Sequence, residues 1–382
     1  MLWHHPDFIK PYLRLAYRLK VGTPLERRLR NGYAALPARI EVNLTRRCNL
    51  KCLMCIQHRH SSDIQDEPPW YDAGRELSIE AWTELLDQAA EFRPWITISG
   101  GEPMLYPRFD DFVLAARERK LPVQINTNGV FLAKKADFLV SSGVGVLSVS
   151  VDGPEDVHDR IRGQSGLFRR TIEGLDALLE ARRRQDSPSP IVQLFCTISK
   201  ANLASLEKMV PLAIELKADI MLFQHTVFNT PENVEKHNRL LSADRASAYG
   251  LSIIQPSVPN GEYYESEIGP EDVPLLREVL GNTKKQTKGK VKVFMAPHIG
   301  LEEIGTYYLD MDYPNAQTCD GLWTTMRVMP DGTFSPCLHV SGGNITERPI
   351  KEIWDAPQIR NLRKLVAGRL FPGCARCCHR HF

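Results

Sequence analysis

Apolar runs of strand length alternate with amphipathic, helix-length stretches through the first two thirds of the chain. Between these runs the apolar residues recur at helical spacing, most clearly at Phe168, Ile172, Leu175 and Leu179. Repeated strand–helix units predict an α/β fold with a parallel sheet covered by helices. Right-handed crossovers would curl this sheet into a partial (β/α)6 barrel of the TIM type. The predicted strands are residues 38–43, 95–99, 123–126, 144–151, 191–198 and 219–223.

The same pattern divides the chain into four parts. Residues 1–38 precede the repeats and predict a basic amphipathic leader, and residues 39–226 contain the predicted barrel core. Residues 227–318 have weaker periodicity and predict an irregular connection that faces the substrate. Residues 319–382 contain a second group of cysteines and predict a small C-terminal module.

The leader has apolar residues at helical spacing, namely Phe8, Tyr12, Leu15 and Leu19. Lys10, Arg14 and Arg18 fall on the opposite side. Seven Lys and Arg residues against two acidic residues give the leader a net charge of about +5. One interpretation is a helix packed on the main body. The alternative is contact with a peripheral membrane surface or an anionic substrate.

Composition narrows the class of function. Apolar residues make up 43% of the 382 residues, which is enough to bury a sizeable core. The formal net charge of +2 lacks the basic excess that is typical of nucleic-acid-binding proteins. No apolar stretch reaches the length of a transmembrane helix, and the N-terminus lacks the pattern of a signal peptide. These features predict a cytoplasmic protein without a nucleic-acid partner.

Nine cysteines are the most informative feature of the composition. An odd number of cysteines in a chain without an export signal argues against a disulfide framework and favours metal binding. Two groups stand out, one near residue 50 and one after residue 319. Cys196 lies inside the fifth predicted strand, where a small buried apolar role is the simplest interpretation.

The first group is Cys48, Cys52 and Cys55, with the spacing C-x3-C-x2-C directly after the first predicted strand. Three thiolates this close can bind three irons of a 4Fe–4S cluster and leave the fourth iron open to a small molecule. The alternative is a structural zinc site, which needs a fourth ligand such as His58 or His60.

Polar motifs follow the next three predicted strands. Residues 100–103 read Gly-Gly-Glu-Pro, residues 126–129 read Asn-Thr-Asn-Gly, and residues 148–153 read Ser-Val-Ser-Val-Asp-Gly, with Arg162-Gly163 shortly after. Because the C-terminal ends of parallel strands meet at one edge of the sheet, these motifs should surround one site. In their order and strand positions, the cysteine loop and these motifs resemble those of the radical S-adenosylmethionine (radical SAM) superfamily.

The resemblance implies roles for individual residues. Gly100 and Gly101 would approach the amino group of S-adenosylmethionine, and Glu102 would orient their loop. Asn128 and Ser150 would reach ribose or carboxylate oxygens, or else be ordinary hydrogen-bonded residues at strand ends. Arg162 would bind the carboxylate of the ligand. The family usually has an aromatic residue before the third cysteine, where this chain has Met54, so a flexible thioether would contact adenine.

The resemblance also implies a mechanism. An electron donor such as flavodoxin or ferredoxin would reduce the cluster, which would cleave S-adenosylmethionine to a 5′-deoxyadenosyl radical. That radical would abstract hydrogen from an unactivated C–H bond of an organic substrate. The cofactor would supply the reactivity, while the protein would position it and exclude side reactions.

The second group of cysteines comprises Cys319, Cys337, Cys374 and Cys377. Four thiolates can bind a cluster completely, or a structural zinc ion. The arrangement resembles the SPASM/twitch extension of radical SAM enzymes, in the shorter twitch form that binds one auxiliary 4Fe–4S cluster. Such a cluster would accept an electron from a substrate radical. Cys378 would be a spare ligand or a neighbouring thiol.

Three functions are compatible with the sequence. The first is an oxidoreductase that acts on a small molecule or lipid. The second is a peptide-modifying maturase, which is disfavoured because only 38 residues precede the predicted barrel. The third is a non-enzymatic iron–sulfur carrier, which the set of S-adenosylmethionine motifs argues against. Gln224 and His225 end the sixth predicted strand, and His225 is either a candidate catalytic residue or a hydrogen-bonded structural histidine.

Overall fold

The computed structural model describes residues 6–29, 31–55, 76–253, 266–287, 289–312, 318–337 and 340–377. Its strands are β1 (Arg39–Thr45), β2 (Trp95–Gly100), β3 (Val123–Thr127), β4 (Val146–Ser150), β5 (Ile191–Ile198), β6 (Ile220–His225), β7 (Ser252–Ile253), β8 (Lys292–Ala296), β9 (Thr325–Val328) and β10 (Val340–Ser341). The main sheet is parallel and has the order β8-β6-β5-β4-β3-β2-β1-β9. A separate antiparallel pair joins β7 to β10.

Helices connect and cover these strands. They are α1 (Pro6–Tyr17), α2 (Thr23–Leu29), α3 (Ile79–Ala90), α4 (Phe109–Glu118), α5 (Leu132–Ser141), α6 (Glu155–Arg162), α7 (Leu167–Arg184), α8 (Met209–Glu215), α9 (Pro231–Leu240), α10 (Ala243–Ala248), α11 (Val273–Gln286), α12 (Ile304–Leu309), α13 (Gly321–Thr324), α14 (Ile350–Trp354) and α15 (Pro357–Gly368). Short 3-10 segments include Lys200–Lys208 and Pro372–Cys374, and a π-helical turn spans Arg18–Gly22.

The six predicted strands are confirmed as β1 to β6, but the sheet is wider than predicted. β8 pairs with β6 at one edge, and β9 pairs with β1 at the other. β9 comes from the C-terminal module, so the module contributes directly to the barrel sheet. Pairing between strands almost 290 positions apart, such as Glu41 with Arg327, leaves no local signal in the sequence.

The expectation of an irregular connection over residues 227–318 is wrong for the part that the structure describes. This segment forms α9, α10, α11, α12 and β8. In α11 the residues Leu276, Val279 and Leu280 are buried, which is helical spacing. The lysines at the C-terminal end of this helix made the helical spacing of these apolar residues less evident in the sequence.

The two faces of the sheet have different chemistry. In β5, Leu194, Cys196 and Ile198 are buried beneath the covering helices, whereas the alternating residues face the inside of the partial barrel. The inner face is polar, because the Nε2 atoms of Gln124 and Gln193 both donate hydrogen bonds to Ser148 Oγ, at 3.2 and 2.8 Å. An inner surface of this kind can accept a polar ligand.

The N-terminal leader is helical as predicted, but its buried face differs from the prediction. Tyr12 is exposed, whereas Arg18 is buried. The guanidinium of Arg18 lies 2.8 Å from the Glu26 carboxylate and donates a 2.6 Å hydrogen bond to the Trp323 carbonyl. These polar contacts hold the leader against the C-terminal module. Among the described residues, no helix is long and apolar enough to cross a membrane.

Candidate functional site

A cavity of about 310 Å³ opens where the C-terminal ends of β1 to β5 converge. It is lined by residues of the first cysteine loop and of the polar motifs that follow the next three strands: Cys48, Leu50, Cys52, Met54, Cys55, Ser99, Gly100, Gly101, Asn126, Thr127, Asn128, Ser148, Ser150, Arg162, Phe195 and Thr197. The motifs that are separated along the chain therefore lie together around one space.

The cysteine loop is seated against the end of α6. Leu53 donates a backbone hydrogen bond to the Ile161 carbonyl at 2.8 Å. Gly163 ends α6 in the left-handed conformation, with φ of 73°, and a Cβ there would lie 2.9 Å from the Lys51 carbonyl oxygen. Glycine at this position lets the loop and the helix end approach each other, which fixes the three thiols at the cavity.

Gly100 and Gly101 allow the loop after β2 to pack against the chain that leads into the cysteines. A Cβ on Gly100 would collide with the Thr45 carbonyl oxygen, and one on Gly101 with the Arg47 carbonyl oxygen. Gly101 and Glu102 donate backbone hydrogen bonds to these two carbonyls, each at 2.8 Å. This contact is a structural reason for both glycines, beside the predicted approach to a ligand.

Glu102 lies behind the cavity wall and is fully buried. Its carboxylate accepts hydrogen bonds from the backbone N–H groups of Asn128, at 2.8 Å, and Met104, at 3.2 Å. The Thr127 hydroxyl lies 3.0 Å from both carboxylate oxygens. Burial raises the pKa of Glu102 to about 7, although these hydrogen bonds act in the opposite direction. Glu102 thus joins the ends of β2 and β3.

Arg162 is held in position by Asp152, a residue without a predicted role. Arg162 Nε lies 2.5 Å from Asp152 Oδ2, and Arg162 Nη1 lies 3.7 Å from Cys52 Sγ. The other Asp152 oxygen accepts a hydrogen bond from Thr197 N at 3.0 Å. Asp152 therefore ties the guanidinium to β5 and directs it toward the cysteine loop. Asp152 belongs to the Ser-Val-Asp-Gly motif, but the sequence does not show that it pairs with Arg162.

The three thiols of the loop are in a low-polarity environment. Burial raises the pKa of Cys48 to about 11 and also raises the pKa of Cys52, which Arg162 lowers in part. Leu50 and Leu167 pack beside them. Thiols in such surroundings ionise readily only when a positive charge such as iron binds them. His58 and His60, the alternative zinc ligands, lie outside the described residues.

We predict that Glu102→Gln weakens binding of S-adenosylmethionine. The glutamine amide would turn an N–H donor toward the Asn128 or Met104 N–H, so that one buried donor loses its acceptor. The unsatisfied donor costs about 1–3 kcal/mol of folding free energy, and the resulting shift of the ends of β2 and β3 weakens binding of the ligand. Isothermal titration calorimetry on the reconstituted protein measures it. Glu118→Gln, on the exposed surface of α4, is the matched control. Equal affinities in both variants would contradict the role of Glu102.

His225 and Gln224 point to opposite sides of β6. Gln224 pairs in register with Thr197, which lines the cavity, whereas His225 pairs with the buried Ile198. His225 Nδ1 lies 2.8 Å from the Tyr308 hydroxyl, and burial lowers the pKa of His225 to about 3. His225 is thus packed beneath the sheet and does not line the cavity, so a catalytic role for it stays a prediction.

The four cysteines of the second group come together near the C-terminus. Burial, together with the nearby thiols of Cys377 and Cys337, raises the pKa of Cys319 to about 12. The pKa of Cys374 is raised by burial and by the other three thiols. Within the described ranges, no three His, Cys, Asp or Glu side chains lie close enough together to share one metal ion. Cys378 lies outside these ranges.

The segment that holds Cys374 and Cys377 is fixed by helices of the preceding region. Asn233 Nδ2 of α9 donates a hydrogen bond to the Pro372 carbonyl at 2.8 Å, and Gly373 N donates one to His237 Nδ1 at 3.2 Å. Arg376, between the two cysteines, is buried and donates to the Tyr307 carbonyl of α12 at 2.5 Å. Tyr307 also packs on His225, so direct contacts link the segment of the second thiol group to the end of β6.

Comparison with known proteins agrees with this arrangement. The radical SAM superfamily model matches residues 42–212, and the SPASM model, described as an iron–sulfur cluster-binding domain, matches residues 319–378. The AdoMet-dependent heme synthase of Methanosarcina barkeri is 30% identical over 346 residues, which cover 86% of this chain and 85% of that protein. The chain belongs to the radical SAM superfamily.

Two further similarities extend the comparison. The Fe-coproporphyrin III synthase of Methanosarcina barkeri is 27% identical over 88% of this radical SAM chain and 79% of its own. The crystal structure of Streptococcus suis SuiB bound to S-adenosylmethionine has a TM-score of 0.60 at 16% identity, covering 87% of this chain and 69% of that one. The latter likeness supports the partial-barrel fold with its C-terminal extension.

The protein is a radical SAM enzyme with a SPASM-type domain, and its cofactors are S-adenosylmethionine and 4Fe–4S clusters. The side chains fit these groups. Three thiols border the open cavity, next to the residues that would contact S-adenosylmethionine. The four thiols of the second group lie near enough to raise the pKa of Cys374 without converging on a single point, and four thiolates that each bind a separate iron are a complete ligand set for a cluster.

Proposed function

We propose that this chain is an oxidoreductase that removes hydrogen from an unactivated C–H bond of a small organic substrate. When bound, the reduced cluster and S-adenosylmethionine supply a 5′-deoxyadenosyl radical, with flavodoxin or ferredoxin as the electron donor. The observation that carries the proposal is the cavity in which three thiols, the glycine loop and Arg162 lie together. A carrier of iron–sulfur clusters would have no use for the other residues of this set.

The residues of the chain have separate tasks in this proposal. Cys48, Cys52 and Cys55 would hold the cluster with an open iron. Arg162, oriented by Asp152, would pair with the carboxylate of S-adenosylmethionine, because a guanidinium fork matches a carboxylate. Met54, Asn128 and Ser150, which also line the cavity, would contact the adenine, ribose or carboxylate. Together they would position the cofactor and exclude water from it.

The second thiol group would complete the oxidation. A substrate that has lost a hydrogen atom reaches a stable product when it also loses one electron, with release of a proton or another cationic fragment. We assign the acceptor of this electron to one auxiliary cluster held by Cys319, Cys337, Cys374 and Cys377. Four protein ligands leave no open iron, so this cluster would exchange electrons without binding S-adenosylmethionine.

An iron tetrapyrrole is the proposed class of substrate. Two relatives that align with most of this chain are a heme synthase and an Fe-coproporphyrin III synthase, both named for iron tetrapyrroles. The inner face of the sheet is polar and extends beyond the cofactor cavity, with Gln224 next to the cavity-lining Thr197. Amide side chains of this kind can bind the carboxylates of a tetrapyrrole.

The test is an anaerobic assay of the reconstituted protein with dithionite and S-adenosylmethionine, with and without Fe-coproporphyrin III. We expect 5′-deoxyadenosine to form several-fold faster with the porphyrin, together with a porphyrin of altered mass. Iron-free coproporphyrin III and a short peptide are the comparison substrates. Formation of 5′-deoxyadenosine without any change in the porphyrin would contradict the substrate class. Absence of 5′-deoxyadenosine under all conditions would contradict the enzymatic function.

A further inference from the structure

The N-terminal helices carry an apolar stripe that faces away from the protein. Five residues spaced four apart form this stripe, and their exposed fractions range from 48 to 71%: Leu13, Tyr17, Val21, Leu25 and Leu29. Tyr12 and Tyr33 are also exposed nearby. An exposed apolar residue is ordinary when it is single, but a continuous row on one segment indicates an interaction surface.

The side of the leader that contacts the protein is polar instead. Arg18, Thr23 and Glu26 are the buried residues of α2 and the preceding π-helical turn. Besides the Arg18 contacts, Arg27 forms a 2.9 Å ion pair with Asp320. A helix that only covered a core would bury its leucines and expose its arginines. The leader instead buries Arg18 and exposes Leu13, Leu25 and Leu29, so these apolar side chains are available for another contact.

The local geometry keeps the stripe in line. In a regular α-helix, residues four apart drift around the axis, because four residues exceed one turn of 3.6 residues. The π-helical turn Arg18–Gly22 lies between α1 and α2 and has more residues per turn. It therefore counteracts the drift and brings Val21 and Leu25 toward the line begun by Leu13 and Tyr17.

The charges around the stripe define the partner. Lys10, Lys20 and Arg28 are exposed, and Lys20 and Arg28 directly precede stripe residues. Among residues 9–29, whose side chains the structure describes, the acidic residue is Glu26, and it is buried. In a two-fold dimer this surface would face its own copy, so cations would meet cations. An anionic lipid surface instead neutralises the cations and accepts the apolar stripe.

We propose that the leader is a membrane-surface anchor that lies on anionic lipid with the stripe Leu13–Leu29 inserted among the headgroups. Arg18, Glu26 and Arg27 fix the helix to the C-terminal module, so that binding brings the whole enzyme to the surface. This role is independent of the proposed substrate. It requires exposed apolar and basic residues, and no transmembrane segment.

The test is co-sedimentation of the full chain with vesicles of phosphatidylcholine, with or without phosphatidylglycerol. We expect binding to the anionic vesicles, and weaker binding in high salt. Tyr17→Ser with Leu25→Ser should reduce partitioning at least about tenfold, since two inserted apolar side chains are removed. Lys20→Glu with Arg28→Glu should reduce binding to anionic vesicles as well. Leu114→Ser, an exposed leucine of α4 with 43% exposure, should bind as the unmodified chain does.

Thermal unfolding should be nearly the same for all these variants, because every replaced side chain is exposed. Two results would overturn the proposal. One is failure of the unmodified chain to sediment with the anionic vesicles. The other is a dimer in solution that the stripe variants convert to monomer, which would assign the stripe to a second copy of the chain.

Discussion

Replacing Cys48, Cys52 and Cys55 together by alanine removes about half of the bound iron and sulfide and abolishes cleavage of S-adenosylmethionine. The intact protein should approach about eight irons and eight sulfides after anaerobic reconstitution, because each of two cubic clusters contributes four of each. The three thiols border the cavity, so the cluster that they hold is the one that S-adenosylmethionine can reach. Iron and sulfide analysis and chromatography of 5′-deoxyadenosine measure the two effects.

Cys196→Ala is the control for this experiment. Cys196 is buried in β5, outside both thiol groups, and Asn202 Nδ2 lies 3.5 Å from its sulfur. Asn202 keeps hydrogen bonds to the Asp152 and Thr197 carbonyls, so alanine should be tolerated. This variant should retain both clusters and cleavage. Four irons together with bound zinc in the intact protein would contradict the assignment of the second group to a cluster.

The residues that line the cavity could be predicted from the sequence, because β1 to β5 lie side by side in the sheet in the same order as along the chain. Cys48, Gly100, Asn128 and Ser150 each lie at or just after the end of a successive strand, and neighbouring strands pair in the same order. Contacts across several strands were less evident. Asp152 was inside a recognised motif, but its ion pair with Arg162 depends on how α6 turns back over the cysteine loop.

The sixth strand shows a limit of prediction from position alone. Gln224 and His225 both end β6, yet successive side chains of a strand point to opposite faces. Their shared position at the end of the strand therefore cannot direct both side chains toward the active site. The buried partners of β6 indicate which residue faces inward, since Met221 and Phe223 share the face of His225.

The leader and the connecting segment were hard to predict for a different reason. Helical periodicity in residues 6–29 showed a helix but could not show which side is buried, because the partner surface belongs to residues more than 290 positions away, such as Trp323. Likewise, α9 fixes the segment that holds Cys374, and that contact joins residues far apart in the chain. Long-range polar contacts of this kind leave no periodic signal in the sequence.

Replacing Cys337 or Cys374 by alanine should leave cleavage of S-adenosylmethionine intact and abolish product formation. The second thiol group lies in the C-terminal module, while the cavity is formed by β1 to β5 and α6. Losing one of four ligands should remove or disrupt the auxiliary cluster. The substrate radical would then have no acceptor for its second electron, and return of hydrogen to the substrate would prevail. Side-by-side assays of 5′-deoxyadenosine and of product measure the separation.

The control must separate loss of the cluster from damage to the fold, because the Cys374 segment is bound to α9 and Arg376 to α12. Cys337→Ser and Cys374→Ser keep an oxygen ligand of similar size, so partial recovery of cluster and product would point to iron ligation. Circular dichroism and residual iron content show whether the barrel and the first cluster remain. Normal product without the auxiliary cluster would refute the role as electron acceptor. Loss of both activities in a folded protein that keeps four irons would instead show that the second thiol group shapes the cavity itself.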